Sequence, residues 1–304
     1  MKPILDKRFL IVVGKGGVGR TTVAAALARA AGRAGKRVLL AQTNAPERLG
    51  QLLGTPRPIG ADVTVIDERL SAVNMSPKQA LHEYGVLLLR YEPLYRAVFE
   101  NKPMRSFLGA FPGLDYWTML GKAWWHTTEQ DSGRPKYDVV ILDGPASGHA
   151  TAMLRIPDAV ISAMPKGPLA RDAGLARALL SDPARTTAVL VTLPEELPAR
   201  ETTILAADLR SLRIPTGPLV VNSMPPADAA DPVVGKVLDA AGAAPPELAG
   251  LLAAVATLAA RRRDADRIVE SLDRDLGLPM LELPRLPTGD LRPEHIERLA
   301  DLLD

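Results

Sequence analysis

The sequence predicts an α/β protein, with a mostly parallel central sheet of about eight strands flanked by helices and a helical insertion. Three observations predict it. Short, wholly apolar runs stop abruptly at a glycine or a polar residue, as strands buried on both faces do. Stretches of helical length rich in Ala and Leu lie between most of these runs, so β and α elements alternate, the pattern of a parallel sheet covered on both faces. The first apolar run passes through a glycine-rich loop into an Ala-rich stretch and then a second apolar run, which makes a βαβ crossover.

Taken in order, Phe9-Leu-Ile-Val-Val13 is the first expected strand. Residues 21–34 form the first helix, with Gly35 as its C-terminal stop. Val38-Leu-Leu-Ala41 is the second strand, and further strands are expected at residues 139–142, 160–163, 189–192, 219–222 and 281–283. Residues 76–129 differ, being mostly helical in pattern. They carry Phe99, Met104, Phe107, Leu108 and Phe111, and all three tryptophans, Trp117, Trp124 and Trp125. This segment is expected as an insertion within one domain spanning residues 1–304. Residues 225–232 read as an irregular loop rich in Pro, Ala and Asp. Residues 246–277 read as a long helix, whole or broken, and residues 293–303 as a closing amphipathic helix. No internal repeat is visible.

Composition narrows the function classes. A chain of 304 residues can bury a substantial core, and 47% hydrophobic residues rule out disorder. With only 4% aromatic residues the core must be aliphatic. Thirty-seven basic and 35 acidic side chains leave a net charge of +2, which gives no general attraction to nucleic acid or anionic membrane. The absence of cysteine excludes disulfides, thiolate-bound zinc and a cysteine nucleophile. No stretch approaches the roughly 20 apolar residues of a membrane span, and the charged first residues do not resemble a signal peptide. No integral membrane segment and a cytoplasmic location are therefore expected.

The chemistry concentrates in Gly14-Lys-Gly-Gly-Val-Gly-Arg-Thr21, between the first strand and the first helix. A P-loop has a glycine, four residues, then Gly-Lys and Ser or Thr. Gly14, Gly19 and Thr21 fit, while Arg20 stands in place of the lysine. The loop must wrap an anion with main-chain N–H groups, so side chains would obstruct it, and the following helix adds its dipole. The expected phosphate-binding set is Gly14, Gly16, Gly17, Val18, Gly19, Arg20, Thr21 and Thr22, with the Thr21 hydroxyl placed for Mg²⁺.

Residues 15–22, Lys-Gly-Gly-Val-Gly-Arg-Thr-Thr, resemble the deviant Walker A loop. A second motif, Asp143-Gly-Pro-Ala-Ser-Gly-His149 followed by Ile156-Pro157, resembles the switch II segment of the arsenical pump ATPase (ArsA) and of the ATPase that targets tail-anchored membrane proteins. MinD and ParA relatives usually lack the Gly-His continuation. Further similarity runs through Ala72-Val-Asn-Met-Ser-Pro77, Pro112-Gly113, Val191-Thr-Leu-Pro-Glu-Glu-Leu-Pro-Ala-Arg-Glu-Thr202, Val220-Val-Asn222 and Leu283-Pro-Arg-Leu-Pro287. The resemblance implies an ATPase that binds ATP or ADP with Mg²⁺ and closes as a dimer, either of identical chains or with a related ATPase. It implies Lys15 reaching the partner's nucleotide, Thr21 and Asp143 at the metal, and Asn222 and Pro284 on the adenine side. His149 could cap a helix, couple the switch to the interface, or be structural. Glu195, Glu196 and Arg200 could form an exposed loop or meet the partner.

Three departures qualify the resemblance. Arginine at position 20 is longer, planar and forked where the family's lysine is a point charge. The loop Gln42-Thr-Asn-Ala-Pro46 stands where the family has Ser-Thr-Asp-Pro-Ala; Asn44 is nearest to the aspartate that orients the attacking water, and an amide cannot accept a proton as a carboxylate can. Asn44 also reads simply as a turn residue. The cysteines that serve the pump's metalloid and the targeting ATPase's zinc are missing, which argues against arsenite transport. Three functions follow in order: an ATPase whose dimer cycle gates a partner or a hydrophobic client; a nucleotide-gated switch or regulatory subunit with little hydrolysis; and a MinD- or ParA-like partitioning ATPase. Apolar residues 96–125 could supply a client surface or ordinary core. Catalytic weight is expected on Lys15, Arg20, Asn44 and Asp143.

Overall fold

The alternating pattern folds as expected into an eight-stranded sheet, seen in a computed structural model that describes residues 2–89, 101, 113–239 and 246–303. A one-turn helix α1 (Lys2–Leu5) precedes β1 (Phe9–Gly14), α2 (Arg20–Arg33), β2 (Val38–Thr43), α3 (Leu49–Leu53), β3 (Thr64–Val65), β4 (Leu70–Met75) and α4 (Pro77–Leu89). Then come α5 (Leu114–Thr128), a small hairpin of β5 (Gln130–Asp131) and β6 (Arg134–Pro135), β7 (Val139–Ala146), α6 (Ser147–Ala163), α7 (Pro168–Leu180) and β8 (Thr186–Thr192). The chain continues through α8 (Glu196–Ser211), β9 (Thr216–Met224), α9 (Pro232–Asp239), α10 (Ala249–Leu276), β10 (Met280–Pro284) and α11 (Pro293–Asp301). The strand order is β10-β9-β8-β1-β7-β2-β4-β3. All neighbours run parallel except β3, which lies antiparallel to β4 at the edge.

Burial on both faces explains the apolar runs. β1, β2 and β8 are buried at every residue. Side chains alternate across a strand. Leu10, Val12, Leu40 and Ile141 therefore join a core beneath α2, α3 and α11, whereas Ile11, Val13, Leu39 and Leu142 join a second core beneath α5, α6 and α8. The buried alanines of α2, Ala24, Ala25, Ala26, Ala28, Ala30 and Ala31, keep that helix close to the sheet. Gly35, at φ 83°, takes the left-handed position just after the helix, the C-terminal stop expected of it.

Some boundaries differ from the sequence reading. The strand expected at 160–163 is instead the last turn of α6, which runs on through Pro157. A four-residue apolar run has no period of its own. The larger pattern is helical: Ile156 and Val160, one turn apart, both face the small core of Trp117 and Ala173. β4 was not among the expected strands, because Asn74 interrupts its apolar run. β7 continues to Ala146, so the residues after Asp143 start as strand rather than loop. α10 is unbroken over 28 residues, and the loop at 225–232 holds a single 3₁₀ turn, Ala227–Ala230. Helices α4 and α5 stand at the two ends of the segment expected at 76–129. Phe99, Met104, Phe107, Leu108, Phe111 and Pro112 lie outside the described residues, and with them most of the expected client surface. Trp117 is buried there and Trp125 exposed. Among the described residues no helix is long and apolar enough to cross a membrane.

His126 of α5 gives the fold a pH dependence. Its Nδ1 lies 2.9 Å from Glu129 Oε2, and its Nε2 is buried with no partner. Burial pushes its pKa below 6.5 against the opposing pull of Glu129. Protonation would place a second N–H where nothing accepts it, so the fold favours the neutral ring. Stability from this group is present above the ordinary pKa and is lost as pH falls through the folded one. Urea unfolding at about pH 7.5 and about pH 5 should show a loss of stability on the acid side that His126→Gln reduces.

Candidate functional site

The parallel strands all end at one edge of the sheet, and the conspicuous loop of the sequence lies there. In open α/β sheets ligands bind beyond these carboxyl ends. Gly14 closes β1 so tightly against β8 that a Cβ on it would lie 2.2 Å from the Val191 carbonyl oxygen. Gly14→Ala must therefore distort either the loop or the β1–β8 pairing. It should lower the unfolding free energy by about 1–3 kcal/mol, the range for overpacking, read from urea or thermal midpoints.

Residues 15–19 then turn into α2. Gly17 and Gly19 have φ of 87° and 91°, while Val18 is buried between them. The Val18 carbonyl accepts a hydrogen bond of 2.9 Å from Asn222 Nδ2, and a Cβ on Gly19 would fall 2.1 Å from that same nitrogen. Asn222, at the end of β9, thus braces the loop from outside. A side-chain cap does not satisfy the N-terminus of α2. Its amide groups and dipole are available to an anion held by the loop.

Behind the loop, sheet register gathers polar groups. Gln42 of β2 and Asp143 of β7 are paired neighbours, on the strand face that turns toward α2. The Thr21 hydroxyl donates to Asp143 Oδ2 at 2.7 Å, and Gln42 Nε2 donates to the same oxygen at 2.9 Å. Thr43 Oγ1 donates to the Asp143 carbonyl at 3.1 Å. Asp143 is only 3% exposed. Burial raises its pKa, against hydrogen bonds from Thr21 and Gln42 and the charge of Arg20. Arg20 does not pair with it directly; its Nη1 donates to the Gly144 carbonyl at 2.7 Å, and burial lowers its pKa against the pull of Asp143. The Gln42 carbonyl oxygen is buried without a partner.

This donor set suits a hard cation. The Thr21 hydroxyl gives its proton to Asp143 and keeps its oxygen lone pairs, one of them approached by Gln42 Nε2 only at 3.5 Å. The buried carboxylate lacks full compensation, and the amide oxygen beside it is unfilled. Among the described residues no three acidic or histidine side chains cluster as a metal cage. Mg²⁺ uses one or two protein groups, retains waters and takes phosphate oxygens, and the Thr21 hydroxyl and Asp143 carboxylate are groups of that kind.

The remaining sequence candidates take distinct places. Lys15 Nζ pairs with Glu201 Oε1 of α8 at 2.8 Å, and Ser147 Oγ, at the start of α6, lies 3.5 Å from the other oxygen of Glu201. Asn44 is exposed in the left-handed region at φ 41°, which asparagine tolerates, with its main-chain N–H donated to the Met75 carbonyl. Asn74 clamps the same turn through both Ala45 main-chain groups. His149 is exposed and hydrogen-bonded to the Tyr116 hydroxyl of α5, which links the segment after Asp143 to the helical region. An open cleft of about 1600 Å³ runs from Gly17, Gly19 and Thr22 past Asn222 to Pro284, with Glu195, Glu196 and Arg200 on its wall. The structure thus brings together the loop, Thr21, Asp143, Asn222 and Pro284, while Asn44 sits on an exposed turn one residue beyond Thr43. Sequence reasoning missed Gln42 and Glu201 as site neighbours. Both sat inside quoted motifs, but strand pairing and helix packing are needed to see what they touch.

A family model described as anion-transporting ATPase matches residues 7–171 and 168–240. The ATPase BagA of Mycobacterium tuberculosis is 30% identical over 93% of this chain and 88% of its own length. A putative arsenical pump-driving ATPase of Halobacterium salinarum is 30% identical over 75% of this chain but only 37% of its own. The arsenical pump-driving ATPase of Escherichia coli is 27% identical over 80% of this chain and 45% of its own.

Proposed function

The chain belongs to the anion-transporting ATPase family, and on that premise we propose that it binds ATP or ADP with Mg²⁺ at the loop of residues 14–22 and forms a dimer whose nucleotide cycle gates a partner or client protein. The observation that carries the reading is the Thr21–Asp143 hydrogen bond at the mouth of a glycine loop on the α2 N-terminus. In this reading the main-chain N–H groups of the loop bind the phosphates, and Arg20 and Thr22 border them. Thr21 and Asp143 hold Mg²⁺, which when bound with the nucleotide neutralises charge on the phosphate oxygens. Asn222 and Pro284 face the base in the cleft. Lys15 exchanges Glu201 for the nucleotide of the partner subunit.

Hydrolysis converts ATP and water to ADP and phosphate, and it needs the water oriented. Asn44 offers an amide on an exposed turn, and Arg20 spends its guanidinium on the Gly144 carbonyl. Turnover is therefore slow or dependent on a partner that completes the site. The Arg20–Gly144 contact also favours a second reading, a nucleotide-gated switch or regulatory subunit that scarcely hydrolyses. Relatives named arsenical pump-driving do not extend that cargo to this chain, which has no thiolate for a soft metalloid.

Sedimentation with a slowly hydrolysed ATP analogue tests the dimer. The wild-type chain should shift to a dimer on adding analogue and Mg²⁺, and Lys15→Ala should not. A chain that stays monomeric at all concentrations and with every nucleotide would refute it.

A further inference from the structure

We infer that Gln42 is a positioning residue for the metal half of the nucleotide site, holding Asp143 with its amide N–H and offering its carbonyl to a water of the Mg²⁺ shell. The inference rests on the reading of the loop as an Mg²⁺–ATP site. It deepens that reading by naming a residue the family pattern does not supply, since the resemblance places serine at this position.

Two independent features of the side chain point the same way. Gln42 Nε2 donates to Asp143 Oδ2 at 2.9 Å and stands 3.5 Å from the Thr21 hydroxyl oxygen, so the amide closes a triangle with the two groups best suited to the metal. Its Oε1 is buried and has no partner, although Gln42 is only 1% exposed. A buried amide carbonyl is almost always paired, and an exception calls for a donor that arrives with a ligand. The arriving nucleotide brings phosphate oxygens, which donate nothing. Mg²⁺ brings bound waters, whose O–H groups are strong donors. Sheet register fixes the arrangement: Gln42 and Asp143 are paired neighbours on adjacent parallel strands, and the side-chain row containing them ends at α2.

The test is the Mg²⁺ dependence of nucleotide affinity, measured by titrating the intact chain with a slowly hydrolysed ATP analogue in Mg²⁺ and in EDTA. The wild type should bind more tightly in Mg²⁺. Gln42→Met, similar in shape but without the polar atoms, should lose about tenfold of that gain, as outer-shell partners of metal sites do, with the EDTA affinity unchanged. Gln42→Leu serves if the methionine variant does not fold. Equal weakening in Mg²⁺ and EDTA would make Gln42 a packing residue and overturn the inference. So would an intact Mg²⁺ gain with only turnover reduced, which would move Gln42 to the attacking water. A wild-type chain with no Mg²⁺ gain would overturn the underlying reading of the site; it is told apart because no variant is needed to see it.

Discussion

Asp143→Ala should weaken Mg²⁺-supported ATP binding by about 100-fold, the upper range for loss of a metal's supporting group, and leave the fold intact. Burial makes the carboxylate's charge costly to the nucleotide-free fold. Asp143 is 3% exposed, and burial raises its pKa above 3.8 in spite of the hydrogen bonds from Thr21 and Gln42. A carboxyl with a raised folded pKa gives stability that is present below pH 3.8 and is lost as pH rises through the folded value. At neutral pH its charge is a debit that a cation removes. Urea unfolding of the nucleotide-free chain should accordingly show a pH slope in the acid range that Asp143→Ala flattens. Titration of the same variant with ATP and Mg²⁺ should show the binding loss. Strong Mg²⁺-dependent binding by the variant would mean that the metal sits elsewhere.

The second large effect is on turnover. Arg20→Lys should raise the rate of ATP cleavage by about tenfold or more, equivalent to about 1.4 kcal/mol of transition-state stabilisation. Arg20 lies at the first residue of α2, but its guanidinium reaches past the loop to the Gly144 carbonyl at 2.7 Å. Lysine carries a compact charge on a flexible stem and can sit beside the phosphates instead of spanning to the next strand. The same substitution should loosen the segment that follows Asp143, since it removes one of its anchors. Single-turnover assays of both proteins check the rate. A slower Arg20→Lys variant would show that arginine is a working substitute for the family's lysine.

The sequence made the sheet legible where apolar runs were long and bounded by glycine, as in Phe9-Leu-Ile-Val-Val13, and the loop between β1 and α2 followed from its glycines, Thr21 and its place between a strand and a helix. It misled where a short run carried no period. Val160-Ile-Ser-Ala163 has the composition of a strand, yet its neighbours Ile156 and Val160 face one core at helical spacing. The edge of the sheet was less visible still, because β3 has only two residues and β4 interrupts its buried positions with the half-buried polar Ser71 and Asn74. Within the candidate site, Thr21 was singled out by motif spacing, and Asp143 and Asn222 by the family resemblance. Their contacts were not legible. Gln42 meets Asp143 only through strand register, and Lys15 meets Glu201 only because α8 packs beside the loop. Such contacts join residues more than 100 positions apart, and spacing along the chain does not encode them.

The most direct test of the account is single-turnover ATP cleavage by the purified wild-type chain, at low and high protein concentration, alongside ATP affinity in Mg²⁺. The account predicts Mg²⁺-dependent binding, slow cleavage in dilute protein, and a rate that rises as the chain, or a related ATPase added to it, makes dimer available. Brisk cleavage that is independent of concentration and partner, or no binding of ATP at all, would contradict it.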